Sequence, residues 1–283
     1  MNNPMKSARI SMMQAGGREM RLATWRLDGS SDHLPVLFFN GIGASIEAVA
    51  PLAHALDDRP FVMFDMPGIG GSPDPVMPYT PFTICAATAA LLQQLGLERV
   101  DVMGVSWGGA MAQQFALQHS AVVRRLILCA TGAGMLTFPG SPAAFAALSD
   151  PRRFLDAAFA DKSFAALYRR SLRDTGGEAA QLGWIRPPSR IGYLYQLLAM
   201  SGWSSAPALP FLTKRVLIMM GDEDPIVPSI NGRLLHSLIP RSELEIFEGG
   251  GHLFLLSHRD QSISCIRSFL DSSDDTEAER KAA

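Results

Sequence analysis

The sequence predicts an α/β fold, a mostly parallel doubly wound sheet with an inserted helical cap. Six short apolar runs recur along the chain, helix-length stretches separate them, and the alternation is interrupted once by a long proline-punctuated segment. The runs are Val36 to Phe39, Phe61 to Phe64, Val100 to Met103, Leu126 to Cys129, Val216 to Met220 and Leu244 to Phe247. Being apolar almost throughout, each reads as a strand buried on both faces. The helical stretches Thr83 to Leu95, Trp107 to His119, Ser229 to Leu238 and Arg259 to Leu270 supply crossovers of the βαβ kind.

Between about Gly132 and Leu212 the alternation gives way to aromatic and helical pieces, Phe154 to Phe159, Phe164 to Leu172 and Tyr193 to Met200, broken by prolines from Pro139 to Pro210. This predicts a core of residues 18–134 and 212–271, a helical cap of residues 135–211 inserted in it, and a flexible, charged tail of residues 272–283. Aromatic residues of the insertion, among them Phe138, Phe154, Trp184, Tyr193 and Trp203, make it apolar enough to line a lipid-like groove.

Composition narrows the function classes. With 25 basic against 27 acidic residues there is no overall attraction to nucleic acid or anionic lipid, which favours a neutral or apolar substrate. Cys85, Cys129 and Cys265 are odd in number, far apart and without metal-ligand spacing, so they read as buried thiols of a reducing compartment, and neither a metal nor a cofactor is expected. The N-terminus lacks the apolar run of a secretory signal, and no stretch approaches about twenty apolar residues, so a cytoplasmic protein without a transmembrane segment is expected.

The chemistry is carried by Gly104-Val105-Ser106-Trp107-Gly108, which follows one strand and opens one helix. A G-x-S-x-G pattern in that context predicts a sharp turn presenting Ser106 as a nucleophile above the carboxyl edge of the sheet. The Trp107 N–H, at the positive end of the helix dipole, is one expected oxyanion donor. Ile42 N–H, in the turn Asn40-Gly41-Ile42-Gly43 after the first strand, is the other. A serine hydroxyl needs a base, and His252 follows the last strand through Glu248-Gly249-Gly250-Gly251. His33, His54, His119, His236 and His258 lack that placement. The orienting acid is expected in Asp222-Glu223-Asp224-Pro225, with Asp224 preferred because Pro225 disfavours helix at it, and Asp222 the alternative. The order Ser106, Asp224, His252 is that of the α/β-hydrolase fold. The glycine-rich Asp65 to Ser72 lacks a following helix start and ribose-binding acid, so it reads as a structural turn and not a dinucleotide loop.

Several separated stretches carry a family resemblance: Phe39-Asn40-Gly41-Ile42-Gly43-Ala44, Phe64 to Ser72, Gly104 to Gly109 with Met111 to Ala116, Gly192 to Leu197 with Gly202-Trp203, and Gly221 to Pro228 with Gly251 to Leu255. Over about residues 35 to 260 the chain resembles the intracellular medium-chain-length poly(3-hydroxyalkanoate) depolymerases. Asn40-Gly41 stands where most α/β-hydrolases have His-Gly, and the region from about Leu136 to Gly183 departs from the family pattern. The resemblance implies a serine esterase with Ser106, Asp224 and His252 as triad. It further implies Asn40, Tyr193 and Trp203 at the substrate, a storage polyester or its granule surface as partner, and association with such granules. A small-ester or carbon–carbon bond hydrolase of the same fold is the alternative, because a triad does not select the acyl group.

Overall fold

The structure, a computed structural model, describes Met5, residues 7–149 and residues 188–273. The expected cap pieces Phe154 to Phe159 and Phe164 to Leu172, together with Trp184 and the tail from residue 274 on, lie outside the described residues.

Eight strands form one sheet: β1 (Arg9–Ala15), β2 (Arg18–Trp25), β3 (Val36–Phe39), β4 (Phe61–Phe64), β5 (Val100–Val105), β6 (Val123–Cys129), β7 (Arg215–Gly221) and β8 (Ser242–Phe247). Their spatial order is β1-β2-β4-β3-β5-β6-β7-β8. From β4 to β8 every pairing is parallel. The six apolar runs all lie within these parallel strands.

The N-terminal hairpin is a correction to the expected core boundary at residue 18, since β1 precedes it and belongs to the sheet. β1 and β2 pair antiparallel from Arg9↔Thr24 to Ala15↔Arg18, and β2 pairs antiparallel with β4. Gly16 and Gly17, at φ 58° and 73°, supply the left-handed pair that a two-residue hairpin turn requires. As an edge strand with one wet face, β1 mixes Arg9, Ser11 and Gln14 with its apolar residues and never forms a continuous apolar run.

The helices are α1 (Ile46–Ala55), α2 (Pro81–Gln94), α3 (Trp107–Gln118), α4 (Pro142–Ser149), α5 (Arg190–Met200), α6 (Ile230–Leu238), α7 (Phe254–Ser257) and α8 (Arg259–Asp271). Alternation along each strand divides the core between two faces. Leu37, Phe39, Val102 and Leu128 pack with α2, α3 and α6 on one face. Val36, Phe38, Met103 and Ile127 pack with α1 and α8 on the other. Both faces are dry, so the strands are apolar throughout and legible as runs.

Chain direction across the sheet reverses at β3, which has β4 on one side and β5 on the other. The carboxyl ends of β3 and β5 therefore flank a topological switch point, the usual position of a ligand crevice in open α/β sheets. At the opposite, amino-terminal edge, four arginines hold the end of α8. Arg125 donates to the carbonyls of Phe269 and Ser272, and Arg124 to that of Leu270. Arg59 donates to the Asp271 carboxylate and Arg215 to the Ser272 hydroxyl. Cationic groups here meet the negative end of the helix dipole, and the bonds satisfy carbonyls that helix geometry leaves open.

Candidate active site

Ser106 joins β5 to α3 at φ 55° and ψ −120°, a conformation that a non-glycine residue adopts only under constraint. The constraint is visible on all sides. Ser106 N–H donates to Cys129 O at 2.9 Å, while Ser106 O accepts from Gly109 N–H at 2.9 Å and from Thr131 Oγ1 at 2.8 Å. A Cβ on Gly104 would lie 2.8 Å from Ala112 Cβ, and one on Gly109 would lie 2.5 Å from Thr131 Cβ. At Gly108 a Cβ would run into the carbonyl oxygens of Phe39 and Asn40. Three glycines thus let the start of α3 press onto the ends of β3 and β6, and the turn is held by lack of room.

The turn after β3 adjoins the serine, since a Cβ on Gly41 would lie 3.9 Å from Ser106 Cβ. Asn40, 7% exposed, uses its whole side chain inside this turn. Its Nδ2 donates to Ala44 O at 3.1 Å and Ser45 O at 2.8 Å, and its Oδ1 accepts from Gly41 N–H at 2.9 Å. Asn40 therefore shapes the turn from behind. Gly43 N–H donates to Gln196 Oε1 at 2.8 Å, and Ala44 N–H to Gly41 O at 3.2 Å. Of the four turn amides from Gly41 to Ala44, Ile42 N–H is the one with no protein acceptor among the described residues. Trp107, as the first residue of α3, likewise has no intrahelical acceptor for its N–H.

Behind this turn the Asp65 carboxylate accepts from Ile46 N–H and Gly71 N–H, each at 2.8 Å, and from Arg21. Burial holds that carboxyl above the usual carboxylate range. Gly68 and Gly192 meet almost backbone to backbone, a Cβ on Gly192 reaching within 2.6 Å of Gly68 Cα, and Ser189 N–H donates to Gly68 O at 2.9 Å. The glycine-rich segment from Asp65 to Ser72 thus seats the start of α5.

Asp224 and His252 lie past the ends of β7 and β8. Asp224 Oδ2 accepts from His252 Nδ1 at 2.7 Å, and both residues are nearly fully buried. Asp224 Oδ1 accepts from the N–H groups of Ile226 at 2.8 Å and Val227 at 3.0 Å. With the carboxylate accepting at Nδ1, the imidazole carries a proton there. Asp222 and Glu223 are exposed, and Asp224 is the carboxylate of this loop that meets His252. The two loops meet where Gly221 packs on the backbone of Gly250 and Gly251, and Glu223 N–H donates to Gly250 O at 2.9 Å. His236 and His258 are engaged elsewhere, with Ser242 and Ser257.

Two residues that sequence reasoning did not single out support these loops. Asn231, fully buried on α6, bonds to both N–H and C=O of Phe138, at 2.7 and 3.0 Å, and to Pro228 O at 3.0 Å. Ser141 N–H donates to Pro225 O at 2.8 Å, so residues 138–141 lie along the acid loop. Gln196, fully buried on α5, contacts both the Gly43 amide and, through its carbonyl at 3.0 Å, the Trp107 indole N–H. Its sequence signal is an uncharged polar residue four positions after Gly192, on the buried face of an otherwise apolar helix.

Tyr193 and Trp203 are both buried. The Tyr193 ring would lie 3.4 Å from a Cβ on Gly43, so it borders the turn after β3. Trp203 packs in the main core, its indole N–H donating to Gln114 Oε1 on α3 at 2.9 Å. Burial pushes the Cys85 and Cys129 thiols well up, and burial with Glu245 and Glu243 pushes Cys265 up to about 11, so none supplies a thiolate beside Ser106. No cluster of metal-ligating side chains occurs among the described residues, and no helix among them is long and apolar enough to cross a membrane.

Comparison with known proteins gives a consistent picture. The family model for the alpha/beta hydrolase fold matches residues 35–259. The chain is 39% identical over 238 residues to a poly(3-hydroxyalkanoate) depolymerase of Ectopseudomonas oleovorans, covering 83% of this chain and 84% of that one. It is 27% identical to a 2-hydroxymuconate semialdehyde hydrolase of Pseudomonas putida, over 97% and 99% of the two chains. Among solved structures, an enol-lactonase from Burkholderia xenovorans superposes with a TM-score of 0.78 at 21% identity, covering 93% of this chain and all of that one, a likeness of fold.

Proposed function

The chain belongs to the alpha/beta hydrolase fold family, and within it we propose a serine esterase that hydrolyses medium-chain-length poly(3-hydroxyalkanoate). The observation that carries the chemistry is the buried His252–Asp224 pair at the same sheet edge as a constrained Ser106 flanked by two unclaimed amides. What supports the polyester is the 39% identical depolymerase.

In this reading Ser106 Oγ attacks the ester carbonyl while His252 Nε2 takes its proton, and the oxyanion is held by Ile42 and Trp107 N–H. The tetrahedral intermediate collapses to an acyl-enzyme as the imidazolium protonates the departing hydroxyl of the polymer chain. Water, deprotonated by the same imidazole, attacks the acyl carbon; Ser106 recovers its proton and a 3-hydroxyalkanoate monomer or short oligomer leaves. Asp224 holds the imidazole in the required tautomer and stabilises its charged form. Residues 135–211 would serve as the cap over this edge, with Tyr193 the candidate substrate neighbour that borders the oxyanion turn, and the enzyme would work in the cytoplasm at the surface of storage granules.

The test is release of 3-hydroxy acids from amorphous medium-chain-length polyester by wild type and Ser106→Ala, with a short-chain polyester in parallel. The variant should lose about a million-fold in turnover. A variant that still releases acid would remove Ser106 from the mechanism. A wild type that cleaves small esters or a vinylogous diketone and neither polymer would move the protein toward the carbon–carbon hydrolases, a reading that the 27% identical hydrolase motivates.

A further inference from the structure

Gln196 is fully buried and reaches, from α5, both the turn after β3 and Trp107, the residue after Ser106. Its Oε1 accepts from Gly43 N–H at 2.8 Å, and its backbone carbonyl accepts from Trp107 Nε1 at 3.0 Å. The Gly43 N–H requires an acceptor, which assigns oxygen to that position of the amide and leaves nitrogen at the other. That Nε2 is a buried donor without a partner among the described residues. A methionine would remove that orphaned side-chain donor and leave the Gly43 N–H without its acceptor, so what the glutamine contributes here is its bond to the turn.

We infer that Gln196 is a positioning residue for the oxyanion hole, an inference that rests on the esterase reading above. Ile42 is flanked by Gly41 and Gly43, the latter at φ 71°, so the peptides on either side of it can rotate at little steric cost. Asn40 pins the front of the turn through Gly41 N–H and the Ala44 and Ser45 carbonyls. Gln196 pins the rear through Gly43 N–H, which sets the backbone around Ile42 and keeps the Ile42 amide aimed at the serine. The same residue ties α5 to the side chain of Trp107, whose backbone amide is the second donor. Both oxyanion donors thus belong to residues held, directly or through the next peptide, by one glutamine of the inserted segment.

Gln196→Met keeps volume and removes the acceptor, whereas Gln196→Glu retains an accepting oxygen. On a soluble p-nitrophenyl ester, Gln196→Met should lose about 10- to 100-fold in kcat, less than deletion of a whole oxyanion donor, with KM changed by less than about threefold. Affinity for a trifluoromethyl ketone, which forms an oxyanion on Ser106, should fall in parallel with kcat. Amide exchange over residues 41–44, which needs no substrate, should accelerate in Gln196→Met and stay near wild type in Gln196→Glu. A kcat within about twofold of wild type, a loss confined to KM, or unchanged exchange in Gln196→Met would overturn the inference. Should Gln196→Met not fold, fast exchange in a folded Gln196→Glu would overturn it as well. Failure of the wild type itself to cleave esters or to take a fluorophosphonate on Ser106 would instead sink the esterase reading, and the exchange measurement would still decide the role of Gln196.

Discussion

The Ser106 turn and the Asp224 loop occupy the same edge of the sheet and differ in what chiefly holds them. Around Ser106 the chain is confined by contact: Gly104, Gly108 and Gly109 sit where any added carbon meets backbone or a buried side chain. Around Asp224 it is confined by bonding: the carboxylate gathers two backbone amides and His252, and Asn231 and the Pro225 carbonyl tie in residues 138–141. Added atoms threaten the first region at three glycines, while the second depends chiefly on its bonds and meets the same crowding only where Gly221 packs on Gly250 and Gly251.

That contrast can be tested in order of expected effect. Gly108→Ala should abolish ester hydrolysis and reduce soluble yield, because the new methyl collides with the Phe39 and Asn40 carbonyls. Circular dichroism and an active-site label read it, and a folded, active Gly108→Ala would show that the turn has slack. Asp224→Asn should fold normally yet lose about ten-thousandfold in kcat, since an amide at that site favours the wrong histidine tautomer. Thermal melts alongside the kinetics would separate this from instability. Asn231→Ala removes the three bonds that hold Phe138 and Pro228, leaving two backbone groups of Phe138 exposed to loss of partners. It should cost about 1–3 kcal/mol in chemical denaturation and roughly tenfold in activity. If its effect matched that of Gly108→Ala, the distinction between the two regions would collapse.

What sequence discloses follows the same physical division. The six strands buried on both faces appear as apolar runs, and the places of Ser106, Asp224 and His252 after strand ends are legible too, because glycine context and strand ends are local properties of the chain. The hairpin β1–β2 escaped because its residues alternate with arginines and other polar groups on a wet edge. Helix α1 was missed where Pro51 interrupts an otherwise ordinary helical pattern. Gln196 and Asn231 were not legible as site residues, since each acts on a partner far along the chain, Gln196 on Gly43 and Asn231 on Phe138, and nothing in their neighbours announces it. Asn40 shows the converse: the sequence placed it beside the reacting centre, and the structure commits its amide to the turn itself.

The arginines that grip Phe269, Leu270, Asp271 and Ser272 have a practical consequence for handling the protein. They anchor the last helix at the amino-terminal ends of β4, β6 and β7, while Ser106 stands past the carboxyl end of β5. A tether joined at Ser273 therefore leaves from the sheet edge opposite Ser106. Fixed to a bead or electrode by that tether, the protein would turn the edge that carries Ser106, Asp224 and His252 outward, toward the solution.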